Sequence, residues 1–132
     1  MHELIIYHSE MSRIMIVDDE PDVVELLKEI LEAEGYTVIG AESGYECLEK
    51  LEKEPVDLIL MDFFMPGIDG RMVIEKIRKN PSLKDINIVF LTAAAFKKRG
   101  MEILSELDIL DYITKPIDVS DFTSRIKKIM EK

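Results

Sequence analysis

Ile14-Met15-Ile16-Val17-Asp18-Asp19-Glu20-Pro21 sets four consecutive apolar residues directly before three acids and a proline. Four apolar residues are too few for a helix, and their unbroken character fits a strand covered on both faces. Proline is favoured at the first position of a helix, where a backbone N–H would have no partner anyway. The stretch therefore predicts a buried strand, a short acidic connection and a helix opening at Pro21. Val23, Leu27, Ile30 and Leu31 supply that helix with an apolar stripe, and Gly35 ends it.

The same unit recurs downstream. Thr37-Val38-Ile39, Leu58-Ile59-Leu60-Met61, Ile88-Val89-Phe90-Leu91 and Tyr112-Ile113 are further short apolar runs. Cys47, Leu48 and Leu51 mark a second helix stopped by Pro55, and Val73, Ile74 and Ile77 a third closed by Asn80-Pro81. A weaker fourth surrounds Met101 and Leu104. The last carries Phe122, Ile126, Ile129 and Met130, with Asp118 or Ser120 placed to cap its start. Five alternations of strand and helix predict an α/β fold with a parallel sheet covered on both faces. Right-handed crossovers make it doubly wound. Residues 13–132 form this domain, and residues 1–12 read as an N-terminal extension or tail. Within it, Leu4-Ile5-Ile6-Tyr7 is either an added edge strand or part of a tail preceding a start at Met11.

A chain of 132 residues suits one domain with a real core. Its composition, 47% hydrophobic and 33% charged, is that of a globular protein rather than a disordered one. The net charge of −10 argues against direct nucleic-acid binding, which needs a basic face. No apolar run approaches the ~18 residues of a membrane span. Cys47 is the one cysteine, so neither an intrachain disulfide nor a cysteine-based zinc site can form, and a cytoplasmic setting is expected.

In open α/β sheets ligands bind beyond the carboxyl ends of the strands. The residues there are Asp18, Asp19 and Glu20 after the first strand, Asp62 after the third, Thr92 after the fourth and Lys115 after the fifth. Adjacent first and third strands would bring Asp18, Asp19 and Asp62 together. Two ionised carboxylates ~4 Å apart repel by about 4 kcal/mol at an effective dielectric near 20. Lys115 can offset part of this, and a hard oxygen-seeking ion such as Mg²⁺ fits the remainder. Helix capping explains one acid near Pro21, but not Asp62, which leads into the loop Phe63-Phe64-Met65-Pro66-Gly67. His2 and His8 belong to the tail, and Cys47 reads as a core residue.

Four stretches follow one another in order: Ile16-Val17-Asp18-Asp19-Glu20-Pro21; Asp57-Leu58-Ile59-Leu60-Met61-Asp62 with Met65-Pro66-Gly67-Ile68-Asp69-Gly70; Leu91-Thr92-Ala93; and Tyr112-Ile113-Thr114-Lys115-Pro116. Across residues 13–131 they resemble the receiver domain of two-component response regulators. The resemblance implies a flavodoxin-like (βα)5 fold with strand order 2-1-3-4-5. It makes Asp62 the phosphoacceptor, attacking the phosphohistidine of a sensor histidine kinase or phosphotransfer protein. It assigns Mg²⁺ to Asp19 directly, to Asp18 largely through water, and also to Asp62 and the backbone carbonyl of Phe64. Lys115 would pair with Asp62 and then with the phosphoryl group. Thr92 and Tyr112 would be the switch pair, and Lys115-Pro116 a cis peptide bond. The fourth helix, fifth strand and fifth helix would carry the signal to a downstream protein. Receivers often pair through those helices, which allows a phosphorylation-linked homodimer.

Two features depart from the family pattern. Gly-Ala usually precedes the tyrosine, whereas this chain reads Leu107-Asp108-Ile109-Leu110-Asp111, so the link into the fifth strand is expected to be shaped differently. Phe64 is bulky, and with small Ala94 it is expected to shield the acyl phosphate. Lys97-Lys98-Arg99 reads as a solvated helix start and, on the expected output face, also as a candidate contact for an acidic partner. Competing functions fare worse. A receiver-like module working without phosphorylation would not need Asp18, Asp19, Asp62, Thr92 and Lys115 intact. A small Mg²⁺-dependent aspartyl phosphohydrolase would want a second carboxylate where Phe64 stands. A flavin carrier would meet repulsion from Asp18-Asp19-Glu20. The chain is thus expected to catalyse only its own phosphorylation and dephosphorylation. The last helix uses it to its end, so it either binds or relays to another protein or is excised from a longer one.

Overall fold

The central strands are buried almost throughout, and their side chains point alternately to opposite faces, which splits the interior into two apolar layers. A computed structural model describes residues 12–63, 65, 70–92, 102 and 105–131. The elements are β1 (Arg13–Val17), α1 (Pro21–Ala33), β2 (Thr37–Ala41), α2 (Gly44–Lys53), β3 (Leu58–Asp62), α3 (Gly70–Lys79), β4 (Asn87–Thr92), β5 (Asp111–Thr114) and α5 (Val119–Met130). Between β4 and β5 lies α4, helical at residues 102 and 105–107. The five strands pair in parallel in the order β2-β1-β3-β4-β5, the expected doubly wound arrangement.

Met15, Val17, Ile59, Met61 and Phe90 face one way, against Cys47 and Leu51 of α2 and Val73, Ile74 and Ile77 of α3. Ile14, Ile16, Leu60 and Val89 face the other way, against Leu27 and Leu31 of α1 and Phe122 and Ile126 of α5. Cys47 is fully buried, and burial pushes its thiol up to about 12. The stripe of α1 is rotated relative to the sequence reading. Val24 is buried with Leu27 and Leu31, while Val23 and Ile30 sit at the margin. Both sets repeat at helical spacing, and docking on the sheet selects between them.

Local signals explain most boundaries. Pro21 opens α1, and Gly35, at φ 99°, closes it with Gly35 N–H donating to Glu32 and Tyr36 N–H to Leu31. The Ser43 hydroxyl accepts from Glu46 N–H at the start of α2. Of the two candidates for capping α5, Asp118 does so, accepting from Asp121 N–H at 3.0 Å. In the link into β5, where the chain lacks the glycine usual in the family pattern, Asp108 takes the left-handed conformation, at φ 57°. Asp and Asn tolerate that region better than other side chains. The expectations for Leu4–Tyr7, Met11, His2, His8, Phe64, Ala94, Lys97–Arg99, Met101 and Leu104 lie outside the described residues.

Adjacent leucines on α1 give a direct test of this packing. Leu27 is fully buried and Leu26 is half exposed. Leu27→Ala is expected to cost about 2–5 kcal/mol in urea unfolding, and Leu26→Ala within about 0.5 kcal/mol.

Candidate functional site

Pairing of β1 with β3 places Val17 opposite Met61, so the residues that follow, Asp18 and Asp62, emerge side by side at the carboxyl end of the sheet. Asp62 is the last residue of β3 and lies opposite Leu91 of β4. Asp18 and Thr92 are fully buried, Asp62 is 5% exposed, and Asp19 reaches solvent. Carboxylate oxygens of Asp18, Asp19 and Asp62 all fall within 4.8 Å of one another. The acids predicted to cluster therefore do so.

Lys115 enters the cluster from β5. Its backbone N–H donates to Thr92 at 2.7 Å, beside the cis bond to Pro116. The ammonium donates to Asp18 Oδ2 at 2.6 Å and to Glu20 Oε1 at 3.4 Å, and stands 3.7 Å from Asp62 Oδ2. Its closest partner is Asp18 rather than Asp62. The other Asp18 oxygen accepts Glu20 N–H at 2.9 Å. Glu20 occupies the cap position of α1 but makes no side-chain cap bond. Helix capping thus does not account for these acids. With both Asp18 oxygens engaged by protein groups, exposed Asp19 is the carboxylate best placed to meet a hydrated ion. An all-oxygen donor set of this spacing, without thiolate or imidazole, fits Mg²⁺.

Burial works to lower the Lys115 pKa. The hydrogen bond to Asp18, the charges of Asp18 and Asp62, and the bond to Glu20 outweigh it, leaving the value above the ordinary 10.5. A cation whose pKa rises on folding contributes stability that is complete below its unfolded value and fades as pH climbs through its folded value.

The backbone after Asp62 is held as tightly as the side chain. Phe63 N–H donates to Leu91 at 3.1 Å, and Phe63 C=O accepts Gly70 N–H at 3.1 Å. The Phe63 ring meets Phe90 edge-on at a centroid distance of 4.9 Å. A Cβ on Gly70 would lie 2.8 Å from the Asp62 carbonyl oxygen and 3.0 Å from Phe63 Cα, so only glycine lets α3 start this close to β3. Thr92 and Tyr112 lie on neighbouring strands, with Phe90 opposite Tyr112 and Thr92 opposite Thr114. The Tyr112 side chain is half-buried against the layer that contains Phe90. Sequence reading did not find the Phe63–Phe90 contact or the Glu20–Lys115 contact. Nothing in the spacing of an aromatic pair or an exposed glutamate marks either one.

Two substitutions probe this geometry. Lys115→Met is expected to flatten the alkaline limb of the urea midpoint against pH, where the native chain loses stability above pH 10.5; an unchanged limb would mean the Asp18 pair contributes nothing. Gly70→Ala is expected to cost about 1–3 kcal/mol by overpacking, with chemical-shift changes centred on Asp62 and Phe63.

Known proteins resemble this chain in sequence and fold. Residues 14–127 match the family described as the response regulator receiver domain. The alkaline phosphatase synthesis transcriptional regulatory protein PhoP of Bacillus subtilis is 36% identical over 121 residues, 91% of this chain and 49% of that protein. The sensor histidine kinase GacS of Pseudomonas protegens is 40% identical over 113 residues, 83% of this chain and 12% of that one. The chain thus spans about half or less of the curated relatives it matches. Response regulator protein TrrA of Thermotoga maritima, solved in complex with Mg(2+)-BeF, is 39% identical with a TM-score of 0.77 over 90% of this chain and 99% of that one. Chemotaxis protein CheY4 of Vibrio cholerae, at 23% identity and a TM-score of 0.84 over 90% of this chain and 98% of that one, shares the fold. With its fold, its strand-end acids and its sequence all in agreement, the chain belongs to the response regulator receiver domain family of two-component signalling.

Proposed function

We propose that this receiver is a phosphorylation-controlled switch, in which Asp62 takes a phosphoryl group from a sensor histidine kinase or phosphotransfer protein with the help of Mg²⁺. The observation that carries this reading is the Lys115 ammonium 3.7 Å from the Asp62 carboxylate, where three carboxylates converge within 4.8 Å. A carboxylate so placed is an ionised nucleophile that needs no general base. One Asp62 oxygen attacks the phosphorus of the phosphohistidine. The O–P bond forms as the P–N bond breaks, and the imidazole leaves with the bonding pair.

Phosphoryl transfer depends mainly on positioning and on neutralising charge at the oxygens. Lys115 supplies one fixed positive charge, held in place by Asp18. Asp19 and Asp62 would hold Mg²⁺ directly, Asp18 through water, and the Phe64 carbonyl would complete the protein ligands. Mg²⁺ bound there supplies further positive charge to the phosphoryl oxygens. In this reading the chain catalyses only its own phosphorylation and dephosphorylation.

The added phosphoryl group brings roughly −1.5 to −2 charges into the strand ends. The Thr92 hydroxyl turns to donate to it, and the Tyr112 ring takes up the space released. Local charge becomes a change of shape across α4, β5 and α5. A downstream protein reads that surface in a cytoplasmic setting, with pairing of two copies as one route. Direct binding to nucleic acid or a membrane plays no part in this reading; among the described residues no helix is long and apolar enough to cross a bilayer.

Intact mass after incubation with acetyl phosphate is the deciding measurement. One added phosphoryl group is expected with Mg²⁺, none without it, and none in Asp62→Asn. No gain in a folded chain that binds Mg²⁺ would overturn the reading in favour of an interaction module that works without phosphorylation. Mg²⁺ is expected to raise unfolding stability by about 2.7 kcal/mol at 100 times its Kd, and Asp19→Asn to remove most of that rise.

A further inference from the structure

Arg78, in the last turn of α3, makes no hydrogen bond to a carboxylate among the described residues; its guanidinium is spread over four backbone carbonyls. Nη1 donates to Lys84 and Ile86, each at 2.8 Å, Nε to Leu107 at 3.0 Å and Nη2 to Asp108 at 2.9 Å. The first two acceptors lie in the connection that enters β4. The other two close α4, where helix carbonyls have no intrahelical partner, and lead into β5. Asp108 holds its left-handed conformation at this point. A planar five-donor fork can reach all four carbonyls at once; a lysine, with three donors on one nitrogen, cannot.

The next bond beyond the clamp is Leu110 N–H to Ile88 C=O at 3.0 Å, the first rung between β4 and β5. At the far end of the same strand pair, Lys115 N–H donates to Thr92 C=O at 2.7 Å. Between these rungs lies Tyr112, and β5 is only four residues long. A slip of one residue would carry every β5 side chain to the opposite face. β5 is an edge strand, paired with β4 alone. Its four-residue ladder and Arg125, which donates to Asp111 at 2.9 Å and to the Tyr112 carbonyl at 3.2 Å, hold its middle, and the bonds at its two ends complete its register.

We propose that Arg78 is a positioning residue for the phosphotransfer site: by clamping the entries of β4 and β5 together it fixes the register in which Lys115 and Tyr112 reach Asp62 and Thr92. The geometry stands by itself, while its consequence for chemistry rests on Asp62 as the phosphoacceptor. Burial in this corner lowers the Arg78 pKa, with Asp108 and Asp85 acting against that, as suits a cation engaged by dipoles rather than by a salt bridge.

Amide hydrogen exchange and phosphorylation of the whole chain test this together. In the native protein the Leu110 and Lys115 amides are expected to exchange at matching protection, as two ends of one clamped strand. In Arg78→Lys, with Arg78→Gln as the second variant, exchange at Leu110 and Tyr112 should rise at least about tenfold relative to Met15 and Ile59, given the strength of hydrogen bonds to a charged donor. Mg²⁺-dependent phosphorylation by acetyl phosphate should slow by about tenfold or more, because small misplacements are costly in such sites. In a Lys115→Met background the same Arg78 change should alter the rate less than about twofold, as expected for residues acting through one another. Uniformly faster exchange across the chain, or the same slowing in both backgrounds, would reduce Arg78 to a general structural prop and overturn the proposal. A native chain that takes no phosphoryl group would instead refute the phosphoacceptor reading. The exchange comparison would then decide the anchoring of β5 alone.

Discussion

Three carboxylates drawn to the end of a parallel sheet repel one another, and the ammonium of Lys115 is the group that lets them stay. Each acid sits where its strand ends, so separating them would mean breaking the β1–β3 pairing beneath. The lysine comes from the opposite flank and is held against Asp18 at 2.6 Å, with Asp62 and Glu20 farther out. Burial of so many charges is tolerable only because each has a counterpart or solvent within reach. The arrangement is asymmetric. Asp18 is committed to the lysine and to a backbone N–H, whereas Asp19 faces outward and Asp62 lies between them. One acid anchors, one meets solvent, and one stands beside the cation at 3.7 Å.

Most of this was legible in the sequence because it depends on local pattern and on a topological rule. Short apolar runs before Asp18, Asp62 and Thr92 named the strands, and the carboxyl-end rule for α/β sheets named the site. What stayed hidden depends on how elements dock. Val23 and Val24 are equally good members of a helical stripe, and only the sheet surface chooses Val24. Lys115 could be read as a partner of the acids, but not that Asp18 rather than Asp62 would hold it more closely. Arg78 is one more basic residue at a helix end, a place where charge is common for electrostatic reasons. Two of its four carbonyl partners lie just downstream at Lys84 and Ile86, but the other two, Leu107 and Asp108, are about thirty residues away.

The departure at Leu107-Asp108 shows how a family pattern can change without loss of the fold. A glycine would take the left-handed turn freely, while Asp108 takes it at φ 57° with its carbonyl held by Arg78. Other charges brace the same side of the molecule. Arg71 joins α3 to Glu106 of α4 at 2.7 Å, and Arg125 joins α5 to Asp111 of β5 at 2.9 Å. These exposed pairs contribute little stability individually. Their directional value is that they tie α4 and β5 to neighbours that do not carry the acids.

Cys47 gives the folded chain an unusual property for chemical work. Its thiol is sealed between α2 and the sheet, and burial pushes its pKa up to about 12, so almost none of it is thiolate at pH 7. Alkylating reagents attack the thiolate, so the native protein is close to a cysteine-free one. A second cysteine placed on the surface could be labelled alone, with no need to remove the first. In the unlabelled chain, the uptake of a thiol reagent becomes a clock for opening of the core rather than a measure of surface reactivity.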